Sequence, residues 1–344
     1  MVPTKVFDSY WRFAAERQAI LHRRLRGESS PWTNDPVLAA HRFTNAYRVA
    51  DRVSQYLIRE VQQREDRSHA PHELFFRTIM FKLFNRIETW EALEGWFGPL
   101  AWATADLDAI SAFLSARQDR GVRNYSAAYI MPPPNLGHGR KHSNHLALLA
   151  RMMTDRLPDR LRQAPSLADV YERLLNYPGL GPFLAFQYAI DLNYSELLDF
   201  DEDDFVVAGP GALDGIAKCF ASTGRRTAAA VISWMVEHQD AEFERLGLSF
   251  QRLGGRRLHL IDCQNLFCEI SKYARAAHPE VVGLSGRTRI KQAYRVDPRP
   301  MTPIVLPKRW QQVEPSQLNT APARRCSLKT TGTSFRAAAA DTGA

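Results

Sequence analysis

Residues Leu174–Gln187 read LLNYPGLGPFLAFQ. One apolar helix end runs into Pro178-Gly179-Leu180-Gly181, and a second apolar helix starts at Pro182. The two glycines permit positive φ and leave backbone N–H groups unobstructed. The helix that follows opens with free donors and the positive end of its dipole. Such a helix-hairpin-helix corner can hold a backbone phosphate without reading sequence, with Leu180 plugging the gap between its helices. An ordinary corner with a Gly stop and a Pro start has the same outline. A Lys after the hairpin would signal lyase chemistry, but Pro182 and Phe183 stand there, so the expectation is monofunctional.

Outward from the hairpin, helical periodicity dominates. The spacing predicts helices over Phe7–Leu25, Pro36–Val61, Pro71–Phe84, Glu88–Phe97, Leu107–Ala116 and His142–Arg156. It predicts further helices over Leu167–Leu175, Phe183–Leu192, Ala212–Phe220, Ala228–Leu246 and Leu258–Ala274. Strand-like alternation is nearly absent, apart from a short extended piece at Ala127–Met131. The fold class is all-α, with two helical lobes and a helix-hairpin-helix module at about 167–192. The Pro- and Gly-rich stretch 131–141 reads as the loop between lobes. The catalytic domain is taken as 1–303 and a disordered basic tail as 304–344.

Composition is that of a globular chain: 344 residues, 45% hydrophobic and 24% charged. No apolar run reaches the roughly 20 residues that span a bilayer, and the N-terminus lacks a secretory apolar segment. A cytoplasmic location, no membrane partner and no protein partner are therefore expected. The net charge is +8, and the stretch after Thr302 carries six cations against two anions, so half the excess sits in the tail. A modest positive body is compatible with DNA through counterion release. Cys219, Cys263, Cys268 and Cys326 form no CxxC pair, so buried free thiols are expected, with no metal and no cofactor assigned.

Three further patterns carry chemistry. Asp199–Gly211 reads DFDEDDFVVAGPG. In helix-hairpin-helix glycosylases an Asp about 20 residues past the hairpin stabilises a developing sugar cation. Counting selects Asp201, Asp203 or Asp204, whereas alignment on Phe205-Val206-Val207 places Ala208 or Gly209 there. These carboxylates could also chelate a metal or form a solvated helix cap. Gly209 and Gly211 offer bare backbone to a phosphate or a flipped base. On the predicted helix around His41–Val61, Asn45, Arg48, Arg52 and Gln55 share a stripe suited to base edges and phosphates, or to solvent. On Leu260–Ala274, Asp262, Asn265, Glu269 and Lys272 share a face, either as an acid/base set or as a salt-bridged surface.

Four motifs in order then carry a resemblance: His41–Arg52 (HRFTNAYRVADR), the PGLGPF hairpin, Val207–Ala212 (VAGPGA) and Asp262–Arg275 (DCQNLFCEISKYAR). Over roughly residues 5–297 the chain resembles the α-glutamyl/putrescinyl-thymine pyrophosphorylase family, a divergent helix-hairpin-helix glycosylase-like group. It also resembles the helical domain attached to some 5-hydroxymethyl-deoxyuridine DNA kinases. It lacks GxxxxGK[ST], so the kinase activity does not carry over. The resemblance implies double-stranded DNA with a modified base as partner and a base swung out of the duplex. It also implies one of two reactions. The first, placed foremost here, excises a hypermodified pyrimidine in defence against phages. The second is displacement of pyrophosphate by an amine on a 5-hydroxymethylpyrimidine, and a non-catalytic DNA-binding module is a third reading. In the excision reading Asp262 or Asp204 stabilises the sugar cation, with Asn45 and Glu269 in the catalytic set. Gly179, Leu180, Gly181, Arg48, Arg52, Gln55, Gly209, Gly211, Lys272 and Arg275 then hold DNA.

Overall fold

Thr4 starts the first helix by accepting the Val6 amide, so that α1 runs Lys5–Leu25 with its aromatic face buried. The computed structural model describes residues 1–127, 131–297 and 300–311. The inner residues of Ala127–Met131, the tail beyond Gln311 and Cys326 lie outside the described residues. A short antiparallel pair, β1 (Val2–Pro3) with β2 (Phe220–Ser222), ties the N-terminus to the body; the remaining named elements are helical.

Asp35 caps α2 (Pro36–Ala40), whose Pro sits in the first turn. The helix expected over Pro36–Val61 does not continue. Residues 41–47 are irregular, Arg48–Ala50 form a 3₁₀ turn, and α3 (Arg52–Tyr56) passes into a π-helical stretch, Leu57–Gln62. Then follow α4 (Pro71–Phe84), α5 (Ile87–Phe97), α6 (Leu107–Asp119), α7 (Lys141–Thr154) and α8 (Leu157–Arg162). Asn85 closes α4 in the left-handed region at φ 49°. The hairpin lies between α9 (Leu167–Leu175) and α10 (Pro182–Asn193). The order ends with α11 (Pro210–Cys219), α12 (Ala228–Arg245), α13 (Leu260–Ala277) and α14 (Lys308–Gln311).

The principal contacts sort these helices into two sets. In one, α13 packs against α1, α2, α11 and α12; in the other, α4 and α7–α10 pack together, with α5 and α6 at their edge. The segment 48–62 runs between the sets, touching α13 at its start and α4 at its end. The closest approach is α11 on α13. A Cβ on Gly215 would lie 2.0 Å from the Phe267 carbonyl oxygen, so only glycine allows it. One boundary moves. Residues 304–311, expected in a disordered tail, lie on the body, where Val305 exchanges backbone hydrogen bonds with the Gln55 amide.

Candidate functional site

The two helix sets meet across a buried polar junction. Arg48 leaves the 3₁₀ turn and reaches α10, with Nη2 2.8 Å from Asp191 Oδ1 and Nε 3.0 Å from Gln187 Oε1. Lys82 on α4 places Nζ 3.1 Å from Asp191 Oδ2 and donates to Asn85 Oδ1 at 2.8 Å. Asp191 is 0% exposed and Arg48 4%. Burial pulls the Lys82 ammonium down, and Asp191 opposes that. Arg48 was expected on DNA phosphates. It is buried and committed to Asp191, which removes it from the backbone-binding set.

Asp262, in the first turn of α13, accepts the Arg48 amide at 2.8 Å and the His259 amide at 3.1 Å. Burial raises its carboxyl, against the pull of His259. Beside it lie Asp203, one of the carboxylates that counting selects, and Glu202 and His259, which the sequence reading passed over. Asp203 contacts the Leu260 amide (3.1 Å), Arg257 (2.9 Å) and His259 Nδ1 (3.1 Å). Burial pushes Asp203 up, but His259 and Arg257 outweigh it and bring it down to about 2. His259 is lowered by burial and raised by Asp203 and Glu202, with a net rise.

Glu202 is 2% exposed and neither carboxylate oxygen has a hydrogen-bond partner. Arg256 Nη2 approaches one of its oxygens at 3.9 Å. Burial drives the Glu202 carboxyl up to about 7, against His259, Arg309 and Arg256. Asp204, counted as a catalytic candidate, is exposed; the two carboxylates before it turn inward instead. Asp201, Asp203 and His259 each bring a ligand atom within 4.8 Å of the others, a set of the right kind for a divalent cation.

The polar face of α13 exists as the spacing predicted, but it serves to receive the irregular 41–48 segment. Asp262 accepts the Arg48 amide, Asn265 donates to Thr44 Oγ1 at 3.0 Å, and Glu269 accepts the Thr44 amide at 2.9 Å. Lys272 closes the row on Glu269 at 2.8 Å and lies over the Phe43 ring. An irregular segment has amides with no helical partner, and carboxylates on the neighbouring helix satisfy them. Asn45 is tied into the same segment, donating to the Ala50 carbonyl and accepting from Arg17. Arg275 is half-buried and donates to the Arg289 carbonyl at 3.3 Å.

Gln55 is buried, spending its amide on Val49 and Val305, so it does not face a base. Of the expected stripe only Arg52 is exposed. Gly209 and Gly211 admit close packing: a Cβ there would meet Phe183 at 2.6 Å and Cys268 Sγ at 3.0 Å. At the hairpin, Gly179 has φ +85° and lies against Pro132 and Pro134, Leu180 is buried, and Gly181 begins α10 exposed with no side chain capping it. Its amides are thus presented outward. Elsewhere, a cavity of about 470 Å³ opens between Phe7, Phe220, Trp234 and Arg245, and no feature of the junction reaches it. Among the described residues no helix is long and apolar enough to cross a membrane. Cys219 and Cys263 are buried and Cys268 is half-buried, all as free thiols.

The signals for the missed residues were local. Gln187 and Asp191 are one turn apart in an otherwise apolar helix, and Lys82 sits in an apolar run. Each is a polar group that burial would force to find a partner.

Comparison with known proteins gives a family profile, 5-hmdU DNA kinase, helical domain, that matches residues 4–283. The 5-hmdU DNA kinase of Bacillus phage SP10 is 29% identical over 287 residues, covering 78% of this chain and 45% of its own length. The chain thus spans less than half the length of that relative. No solved structure matches it.

Proposed function

Since the chain belongs to the family of the 5-hmdU DNA kinase helical domain, we propose that it acts on a 5-substituted pyrimidine in DNA, transferring a group at the 5-position while the base stays on its sugar. This reverses the order the sequence suggested, because the family match favours a modification enzyme over base excision. The observation that carries the reading is the junction, where Glu202, a buried carboxyl with no hydrogen-bond partner, lies beside Asp262, His259 and Arg256.

In this reading the helical body, with residues 304–311 lying on it, is catalytic, and the outward amides at Gly181 take a DNA phosphate. The flipped base enters the junction. An amine attacks the methylene carbon on C5, the bond from that carbon to the pyrophosphate oxygen breaks, and pyrophosphate leaves with the electron pair. Glu202, held near neutrality by burial, takes the proton the amine loses. Asp262 keeps Arg48 and the α13 terminus in register, which makes it a positioning residue.

The test is nucleoside mass spectrometry. The protein is incubated with DNA carrying pyrophosphorylated 5-hydroxymethyluracil and an amine. A new, heavier nucleoside is expected, lost when Glu202→Gln is introduced. Free base and abasic sites would instead support excision, and an unchanged nucleoside pool with intact DNA binding would support a binding module.

A further inference from the structure

Residues 300–311 form a strap that runs along residues 55–63 and onto residues 196–200. Arg59 holds its start through Thr302 Oγ1 (3.1 Å) and the Pro303 carbonyl (2.7 Å). Gln55 pairs with Val305 in both directions, and Gln63 donates to the Leu306 carbonyl at 3.2 Å. Lys308 reaches Glu196 and Arg309 reaches the Phe200 carbonyl at 2.7 Å. Past these tethers, the Trp310 indole lies between Arg256 and Tyr194, the residue after α10 whose ring carries the Arg48 guanidinium. The Arg256 guanidinium is 4.0 Å from its ring centroid, and the Tyr194 ring meets it edge-on at 5.8 Å. Arg256 is the same residue that approaches Glu202.

The tethers are of the kind that release. Most join side chains to backbone carbonyls and amides, individually worth about 1 kcal/mol, the two ion pairs that help are partly exposed, and the apolar side chains Ile304, Val305 and Leu306 pack on the core only partly buried. Arg256, under the Trp310 ring, also approaches a buried carboxyl with no hydrogen-bond partner, Glu202, a group that is costly to keep buried. A flat aromatic ring over a guanidinium and against a tyrosine is also how proteins hold a nucleobase. We infer that Trp310 occupies the place of the flipped pyrimidine, and that the strap must lift before the base can stack on Arg256 and meet Glu202. This rests on the reading of the junction as the base pocket. It makes 300–311 a built-in competitor, so the apparent affinity for DNA is reduced by the fraction of molecules with the strap down.

The experiment uses the full chain and a fluorescent duplex with 5-hydroxymethyluracil opposite an abasic position, where flipping costs little. Trp310→Ala, and separately Arg59→Ala at the far tether, should each tighten binding, by about tenfold if the strap is down nine-tenths of the time. The probe should also accelerate hydrogen exchange at the Val305 amide, which Gln55 protects. Thermal melting of both variants checks that they are folded. A folded Trp310→Ala protein with unchanged or weaker binding, or DNA bound with no change at Val305, overturns the strap. Glu202→Gln in the Trp310→Ala background separates the two ideas. Loss of the gain supports both, whereas an open strap with binding indifferent to Glu202 overturns the pocket itself.

Discussion

Asp191 has no solvent contact and answers two cations, Arg48 and Lys82. Removing one partner of such a group leaves the others as uncompensated buried charge, which costs far more than the pair itself contributes. Asp191→Ala should therefore lower unfolding free energy by about 3–5 kcal/mol in urea titration. A loss under 1 kcal/mol would mean water reaches the cations. Glu202 makes the opposite prediction. Its carboxyl is higher in the folded chain than in the unfolded one, so the unfolded chain releases the proton first. Stability falls as pH rises from about 4.5 to about 7, and the loss is complete above that. Glu202→Gln should then be indistinguishable from the parent at pH 4.5 and more stable at pH 8, by on the order of 2–3 kcal/mol. Melting curves across that range check it. A gap that is constant with pH would show that Glu202 does not titrate in this window.

Between elements, the α11–α13 contact is set by one glycine. Gly215→Ala drives a methyl into the Phe267 carbonyl, which is backbone and cannot step aside. The expected loss is about 1–3 kcal/mol or more, with DNA binding at the hairpin unchanged. Gly95, exposed on α5 with nothing near its Cβ position, is the control: Gly95→Ala should raise the melting temperature slightly through helix propensity. Equal effects at both positions would refute the packing argument. The same scale explains what the sequence could disclose. Pro71–Phe84 was legible because Pro at the first turn and an apolar side are local signals. The break after Ala40 was not, since no Gly or Pro lies between residues 37 and 61. Its cause is distant: on α13, Asp262 accepts the Arg48 amide and Glu269 the Thr44 amide. The α13 stripe was read from spacing, but its use as a docking row depends on a segment more than 200 positions away. Glu202 was hidden among neighbouring carboxylates, where spacing does not say which one turns inward.

At the scale of the whole molecule, the two helix sets are joined through residues 48–62, and the charged junction lies at that joint. A buried ion cluster is a poor way to gain stability, because well-packed apolar side chains of similar volume do as well or better. Its place at the joint fits the proposed function, in which it would hold the two sets in register around a flipped base. Arg48→Met, Lys82→Met, Asp191→Leu and Gln187→Leu together replace the cluster with apolar groups. Among the groups that lose a partner is Asn85 Oδ1, at about 1 kcal/mol. The quadruple variant should therefore be far more stable than Asp191→Ala alone and close to the parent, yet it should lose turnover on the modified DNA. Urea titration and nucleoside mass spectrometry on the same preparation read both quantities. A folded quadruple variant with parental turnover would make the cluster mere packing. One that unfolds like Asp191→Ala would mean the junction cannot close without its charges, because an apolar filling admits water where Arg48 and Asp191 now exclude it.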